Sequence, residues 1–148
     1  MVAYRTLVVG TDGSDSSYRA VEKAAALAGA ASAKLVIACA YHPADDRDGS
    51  AADALKEDAY QIVGSTPTEE ILRTARELAR AAGATDISER PIVGNPVESL
   101  IKLVQEVDAD LLVVGNKGLN SLAGRLLGSV PADAARKART DVLIVHTV

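Results

Sequence analysis

Short, unbroken apolar runs recur along this chain, each separated from the next by segments of helical spacing. That alternation restricts the possible folds more than any other feature. Leu7-Val8-Val9, Leu35-Val36-Ile37-Ala38, Leu111-Leu112-Val113-Val114 and Val142-Leu143-Ile144-Val145 contain no polar residue. Unbroken runs are expected of strands covered on both faces, whereas a half-solvated strand alternates. Strands are therefore expected at Tyr4 to Gly10, Lys34 to Tyr41, Ala109 to Gly115 and Asp141 to His146. Thr85 to Val93 is a poorer fifth, with Glu89, Arg90 and Pro91, and a proline inside a strand implies a sheet edge.

Between these runs, Ser17 to Ala31 carries Ala20, Val21, Ala24, Ala25, Leu27 and Ala28 at helical spacing. Thr66-Pro67-Thr68-Glu69 reads as a capping box with proline at the first helical position. Its helix should run to about Ala82 and close on Gly83. Asn95-Pro96-Val97-Glu98 repeats the start signal, and a last helix is expected from about Ser129 to Ala138. Five strands alternating with four helices predict an α/β fold with a parallel sheet, its βαβ units right-handed. At 148 residues, with no linker-like segment, one domain over 1–148 is expected. Pro43 to Gly64 is less regular: a polar loop through Asp45-Asp46-Arg47-Asp48-Gly49, then room for a short helix from Ala51 to Val63. The three aspartates lack EF-hand spacing and read as a solvated loop.

The chain has no Phe and no Trp, so its core must be Val, Ile, Leu and Ala. That suits alanine-faced helices lying close on a branched-residue sheet. A net charge of −4 without any Lys/Arg block argues against a nucleic-acid partner. One cysteine excludes an internal disulfide, and no spanning apolar run or signal peptide is visible, so no membrane association and a cytoplasmic location are expected.

The chemistry is concentrated after the fourth strand. Gly115 ends the apolar run, Gly118 follows after two residues, and Gly128-Ser129 after nine more, with Pro131 beyond. Glycines let a backbone turn tightly and approach a ligand, and Ser with Pro opens a helix. A strand, a glycine-rich loop and a helix N-terminus make a phosphate cradle. The bland alternative is that the glycines only shape a loop. The spacing is neither a Walker A loop nor the dinucleotide Gly-x-Gly-x-x-Gly.

This pattern resembles the nucleotide signature of the universal stress protein family, in its ATP-binding branch. Val9-Gly10-Thr11-Asp12-Gly13-Ser14 resembles the family's first strand and acidic turn, so the resemblance spans essentially the whole chain. It implies a doubly wound, Rossmann-like five-stranded sheet of order 3-2-1-4-5 with helices on both faces. In such sheets ligands bind where the strand order reverses, here between the first and fourth strands. The resemblance further implies nucleotide-binding roles for Gly10, Thr11, Asp12, Ala40, Gly115, Asn116, Lys117, Gly118, Arg125, Gly128, Ser129 and Val130. Ala40 would meet adenine through its backbone, and Asp12 the ribose or a metal.

Small actinobacterial members that resemble this chain bind cyclic AMP or ATP, and either fits the residues. Asp12 would serve as a Mg²⁺ ligand only with ATP. Cyclic AMP needs only a few donors, for which Asn116, Ser121 and Ser129 suffice beside Lys117 and Arg125; Arg125 also reads as a solvated loop residue. The expected function is a regulatory nucleotide sensor or buffer. The alternatives are slow ATP hydrolysis or autophosphorylation, an ATP pyrophosphatase, and an interaction module with a vestigial pocket. The pyrophosphatase resemblance is partial, because Asp12 stands where that loop has glycine. Ser129 has no base beside it in sequence and reads as a cap, Cys39 reads as a small buried apolar residue, and His42 and His146 read as structural or exposed. The last strand would be an apolar edge without Pro or Lys, which invites pairing. A homodimer through Asp141 to His146 is expected, as is common in the family.

Overall fold

The computed structural model of this chain describes residues 4–41, 65–116, 134 and 136–147. The elements run β1 (Thr6–Gly10), α1 (Asp15–Ala31), β2 (Lys34–Tyr41), α2 (Ser65–Ala82), β3 (Asp86–Val93), α3 (Pro96–Glu106), β4 (Leu111–Gly115) and β5 (Asp141–Val145). The five strands form one sheet in the order β3-β2-β1-β4-β5, and every pair is parallel. The expected order, and the edge position of the strand holding Pro91, are both found.

Alternate residues of each strand enter separate cores. Leu7, Val9, Leu35, Ile37, Leu111 and Val113 pack with Ala20, Val21, Ala24 and Ala28 of α1 and with Leu72, Ala75 and Ala79 of α2. Val8, Val36, Ala38, Leu112 and Val114 pack with Val97, Leu100, Leu103 and Val104 of α3 and with Ala134. Residues on both faces are apolar because both faces are covered, which is why the runs are unbroken. Ala134, Arg136 and Lys137 are helical; Ala138 lies outside that helix, and the rest of the expected fourth helix, like the short helix expected within Ala51 to Val63, falls outside the described residues.

Local signals set most boundaries. Ser14 caps α1 in an extended conformation, its hydroxyl oxygen accepting from the Ser17 N–H at 3.1 Å. Helix α1 therefore starts at Asp15, ahead of the expected Ser17, because the cap satisfies the first turn's free donors. Asn95 caps α3, accepting from Val97 N–H at 2.9 Å and Glu98 N–H at 3.3 Å, with Pro96 first in the helix. The capping box expected at Thr66 is displaced. Helix α2 already includes Ser65, so Thr66 lies inside it, and the residues before Ser65 fall outside the described ones. Thr68, within that motif, is fully buried.

Gly83 ends α2 at φ +121, its N–H and that of Ala84 returning to the carbonyls of Arg80 and Ala79 at 3.1 Å each. Against this turn lies Gly29 of α1. A Cβ at position 29 would stand 2.4 Å from the Gly83 carbonyl oxygen. The two helices thus meet backbone to backbone at this point.

The strand ends opposite the expected site are stitched by Asp110. Its carboxylate accepts the backbone N–H of Thr6 at 3.0 Å and that of Arg5 at 3.0 and 3.1 Å, ahead of β1. Burial works to raise this carboxyl, but the Thr6 and Arg5 amides outweigh it and hold it below the usual range. A lowered folded-state value means stabilisation that is present above the unfolded value, near 3.9, and lost as pH falls through the folded one. Asp110→Asn should therefore cost about 1 kcal/mol at pH 7, at the low end for hydrogen bonds to a charged group because the site is partly exposed. In urea titrations its gap from the wild type should narrow as the pH falls and this carboxyl takes up its proton in the folded protein; a gap that stays constant from neutral pH into the acid range would contradict this role.

Candidate functional site

The chain leaves the sheet at two neighbouring points, the ends of β1 and β4, and this is where the strand order reverses. Val9 of β1 stands beside Val113 of β4, while Gly10 pairs on its other side with Ala38 of β2. Beyond Gly10 the backbone remains tied to β2, with the Thr11 N–H donating to the Ala38 carbonyl at 2.9 Å.

The turn after β1 is built around two buried hydroxyls, Thr11 and Ser17. The Ser17 hydroxyl donates to the Ser14 carbonyl at 2.9 Å. Its one proton is thereby committed, so across the 2.7 Å between them Thr11 is the donor and the Ser17 oxygen the acceptor. The Thr11 oxygen in turn accepts the Gly13 N–H at 3.2 Å, and the Ser17 oxygen that of Asp12 at 3.3 Å. Among the described residues, no buried side-chain nitrogen or oxygen lacks a partner. The turn is thus held in one conformation whether or not anything binds, which is preorganisation.

Asp12 sits half-buried in this turn. Its Oδ1 accepts the Ser14 N–H at 2.9 Å, which orients the carboxylate and leaves Oδ2 as an acceptor for a hydroxyl or cation. Cys39, near the end of β2, is fully buried. Burial chiefly, then the nearby Asp12 charge, pushes its thiol up to about 12, with the Thr68 hydroxyl pulling weakly the other way. It is a neutral packing residue, as expected. Ala40 is half-buried near the end of β2, beside Ile92 of β3.

At the end of β4 stand Gly115 and Asn116. The Asn116 N–H donates to the Val145 carbonyl at 2.8 Å, which carries the β4–β5 pairing one residue past the strands. Two residues beyond β5, Thr147 folds over this point and is buried. Its N–H and its hydroxyl both donate to Asn116 Oδ1, at 2.8 and 2.9 Å. Its oxygen lies 2.5 Å from Ser16 Oγ, and its carbonyl accepts from Arg19 Nη1 at 3.0 Å. A Cβ on Gly115 would lie 3.4 Å from Thr147 Cγ2 and 3.8 Å from Ser16 Oγ. The first turn of α1 therefore adjoins the end of β4, and the two expected halves of the site are neighbours.

Gly10, Thr11, Asp12, Gly115 and Asn116 are brought together at the crossover, and Ala40 stands at the same sheet end on the adjoining strand. Lys117, Gly118, Ser121, Arg125, Gly128, Ser129 and Val130 lie outside the described residues, as do Asp45, Asp46, Asp48 and His42. His146 is exposed. No group of three or more His, Cys, Asp or Glu side chains suited to a metal occurs among the described residues. Nor is any helix among them long and apolar enough to cross a membrane. Sequence reasoning missed Ser16, Ser17 and Thr147 as parts of the site's frame. Ser17 carried a faint signal, being a hydroxyl on the helical stripe that Ala20, Val21 and Ala24 continue. Thr147 carried none.

A groove of about 490 Å³ elsewhere on the molecule is lined by Val93, Asn95, Glu98, Ser99, Lys102 and Glu106, among others. It contains none of the expected nucleotide-binding residues.

Comparison with known proteins places these features in context. The family model described as the universal stress protein family matches residues 3–146. The universal stress protein Rv1636 of Mycobacterium tuberculosis is 60% identical over 147 residues, covering 99% of each chain. A crystal structure of a universal stress protein in complex with cAMP is 54% identical and covers 99% of this chain and 100% of its own, with a TM-score of 0.78. The universal stress protein of Archaeoglobus fulgidus in complex with dAMP is 23% identical, with a TM-score of 0.67 over 97% of this chain and 98% of its own, a likeness of fold alone.

Proposed function

The chain belongs to the universal stress protein family, and from that premise we propose that it binds an adenine nucleotide, cyclic AMP or ATP, at the crossover between β1 and β4. The observation that carries this reading is the juxtaposition of the Thr11–Ser17 turn with Gly115 and Asn116 at the reversal of strand order. That is where open α/β sheets hold ligands. The chemistry of the turn fits a nucleotide: Asp12 Oδ2 is an acceptor for ribose hydroxyls, and Asn116 adds amide donors. The cAMP complex of a relative 54% identical supports the same class of ligand.

Gly10, Thr11, Asp12, Ala40, Gly115 and Asn116 form the described part of the proposed site; Lys117, Gly118, Arg125, Gly128, Ser129 and Val130 complete it. With ATP, Mg²⁺ would fall to Asp12, which alone among the described site residues offers a carboxylate. The protein acts as a sensor or buffer in the cytoplasm, with no chemical step required of it, and neither nucleic acid nor membrane is a partner. Calorimetric titration of nucleotide-stripped protein with cyclic AMP and, separately, with Mg-ATP tests this. Saturable one-site binding of either is the expected result. Heats of dilution alone for both nucleotides would overturn the reading.

A homodimer is part of the same proposal. Strand β5 is an edge of the sheet, and Ile144 on it is 44% exposed. An apolar open edge is a template for pairing, and a second copy of the same strand satisfies it by two-fold symmetry. Ile144→Lys places a charge on that edge. It should convert a dimer into a folded monomer at micromolar concentration by light scattering with unchanged far-UV circular dichroism. A wild-type protein that is already monomeric there would refute the dimer.

A further inference from the structure

We propose that Thr147 is a positioning residue which, by holding the side-chain oxygen of Asn116, leaves that side chain only N–H donors to offer a ligand at the crossover and so sets the site's preference for anionic or acceptor-rich groups. The inference rests on the nucleotide reading above and adds a residue to it.

The orientation of the Asn116 amide follows from Thr147. A backbone N–H can only donate, so the side-chain atom 2.8 Å from the Thr147 nitrogen must be the oxygen. The Thr147 hydroxyl, at 2.9 Å, gives its proton to the same oxygen. A carbonyl oxygen has two lone pairs, and both are now taken. What Asn116 has left is its amide nitrogen, with two N–H donors and no acceptor. The Thr147 proton being spent, its oxygen can only accept from Ser16, 2.5 Å away. The polarity of the whole chain, Ser16 to Thr147 to Asn116, therefore runs one way. Thr147 is only 4% exposed, so water does not compete for these bonds. Its carbonyl is held by Arg19, and its methyl lies over Gly115.

An unheld asparagine beside a ligand turns over and offers either end. One held through its oxygen costs no ordering on binding, and it rejects a donor placed against it. A phosphate oxygen, a ribose oxygen or a ring nitrogen of a purine is the kind of atom it takes.

Two variants and two readouts test this. Thr147→Val keeps the shape of the side chain and removes the hydroxyl. It should weaken cyclic AMP or Mg-ATP binding about tenfold by calorimetry, the size of one charge-assisted hydrogen bond loosened. Thr147→Ser should restore it. Asn116→Asp keeps an oxygen for both Thr147 bonds and replaces the outward donor by a carboxylate oxygen. It should lose anionic nucleotide by roughly a hundredfold while melting within a few degrees of the wild type. Wild-type affinity in either variant would overturn the proposal while leaving the nucleotide reading intact.

A second readout needs no ligand. In ¹H–¹⁵N spectra of the nucleotide-free protein, the Asn116 side-chain amide should give one well-dispersed pair of signals that moves toward random-coil positions in Thr147→Val. An Asn116 pair unmoved by that change would sink the positioning role even if no nucleotide binds.

Discussion

Gly29→Ala is expected to destabilise this protein by about 3 kcal/mol, at the upper end for overpacking. That corresponds to roughly 10 °C in melting temperature for a domain of this size. The single added methyl would stand 2.4 Å from the Gly83 carbonyl oxygen and 2.8 Å from its carbon. Alanine is the better helix former, so intrinsic propensity alone would make the change stabilising by up to about 1 kcal/mol. The steric term reverses the sign because both sides of the contact are backbone. Gly83 cannot move aside cheaply, since its turn is fastened to the last carbonyls of α2. Helix α1 must instead lift, and its alanine face lies directly on the sheet. Thermal denaturation followed by circular dichroism decides the matter. A variant as stable as the wild type would mean that the helices are less closely apposed.

Leu112→Ala should cost about 2–5 kcal/mol, the range for leucine truncation in a well-packed interior. Leu112 is fully buried in the middle of β4, between β1 and β5. It packs in the cluster that includes Leu100 and Leu103 of α3. The residues around it belong to strands, to the capped helix α3 and to the helical turn at Ala134, so the space collapses only in part, and the large end of the range is expected. Urea unfolding should show a lower midpoint with an unchanged slope. A loss under 1 kcal/mol would show that this layer can repack.

Much of this architecture is visible in the residues themselves. The unbroken runs report strands buried on two faces, and Pro91 alone marks β3 as an edge. Asn95-Pro96 and Gly83 mark helix ends because each satisfies or terminates backbone groups in a way few other residues do. The strand order is different in kind. Periodicity is the same for any order, so only the resemblance to a family supplied it. Thr66 misled because a capping box is a local pattern: the helix already includes Ser65, and Thr68 is drawn inward beside Cys39. At the site, Asp12 and Gly115 stand out in sequence because an acidic turn and a glycine after an apolar run are rare combinations. The hydroxyl frame does not. Thr147 meets Asn116 across 31 positions of sequence and Ser16 across 131. A buried threonine near a strand end looks like any other.

The division of each strand between two cores has a consequence for how such a chain can change over time. Val8 and Val9 are joined by a peptide bond, yet they belong to different interiors, one with Leu100 and Leu103, the other with Ala20 and Ala24. A gain in volume at Val8 is compensated on α3, and one at Val9 on α1. Substitutions at neighbouring positions of β1 should therefore accumulate independently, while positions ninety residues apart drift in step. The sheet behaves as a partition between two inheritances that share one backbone.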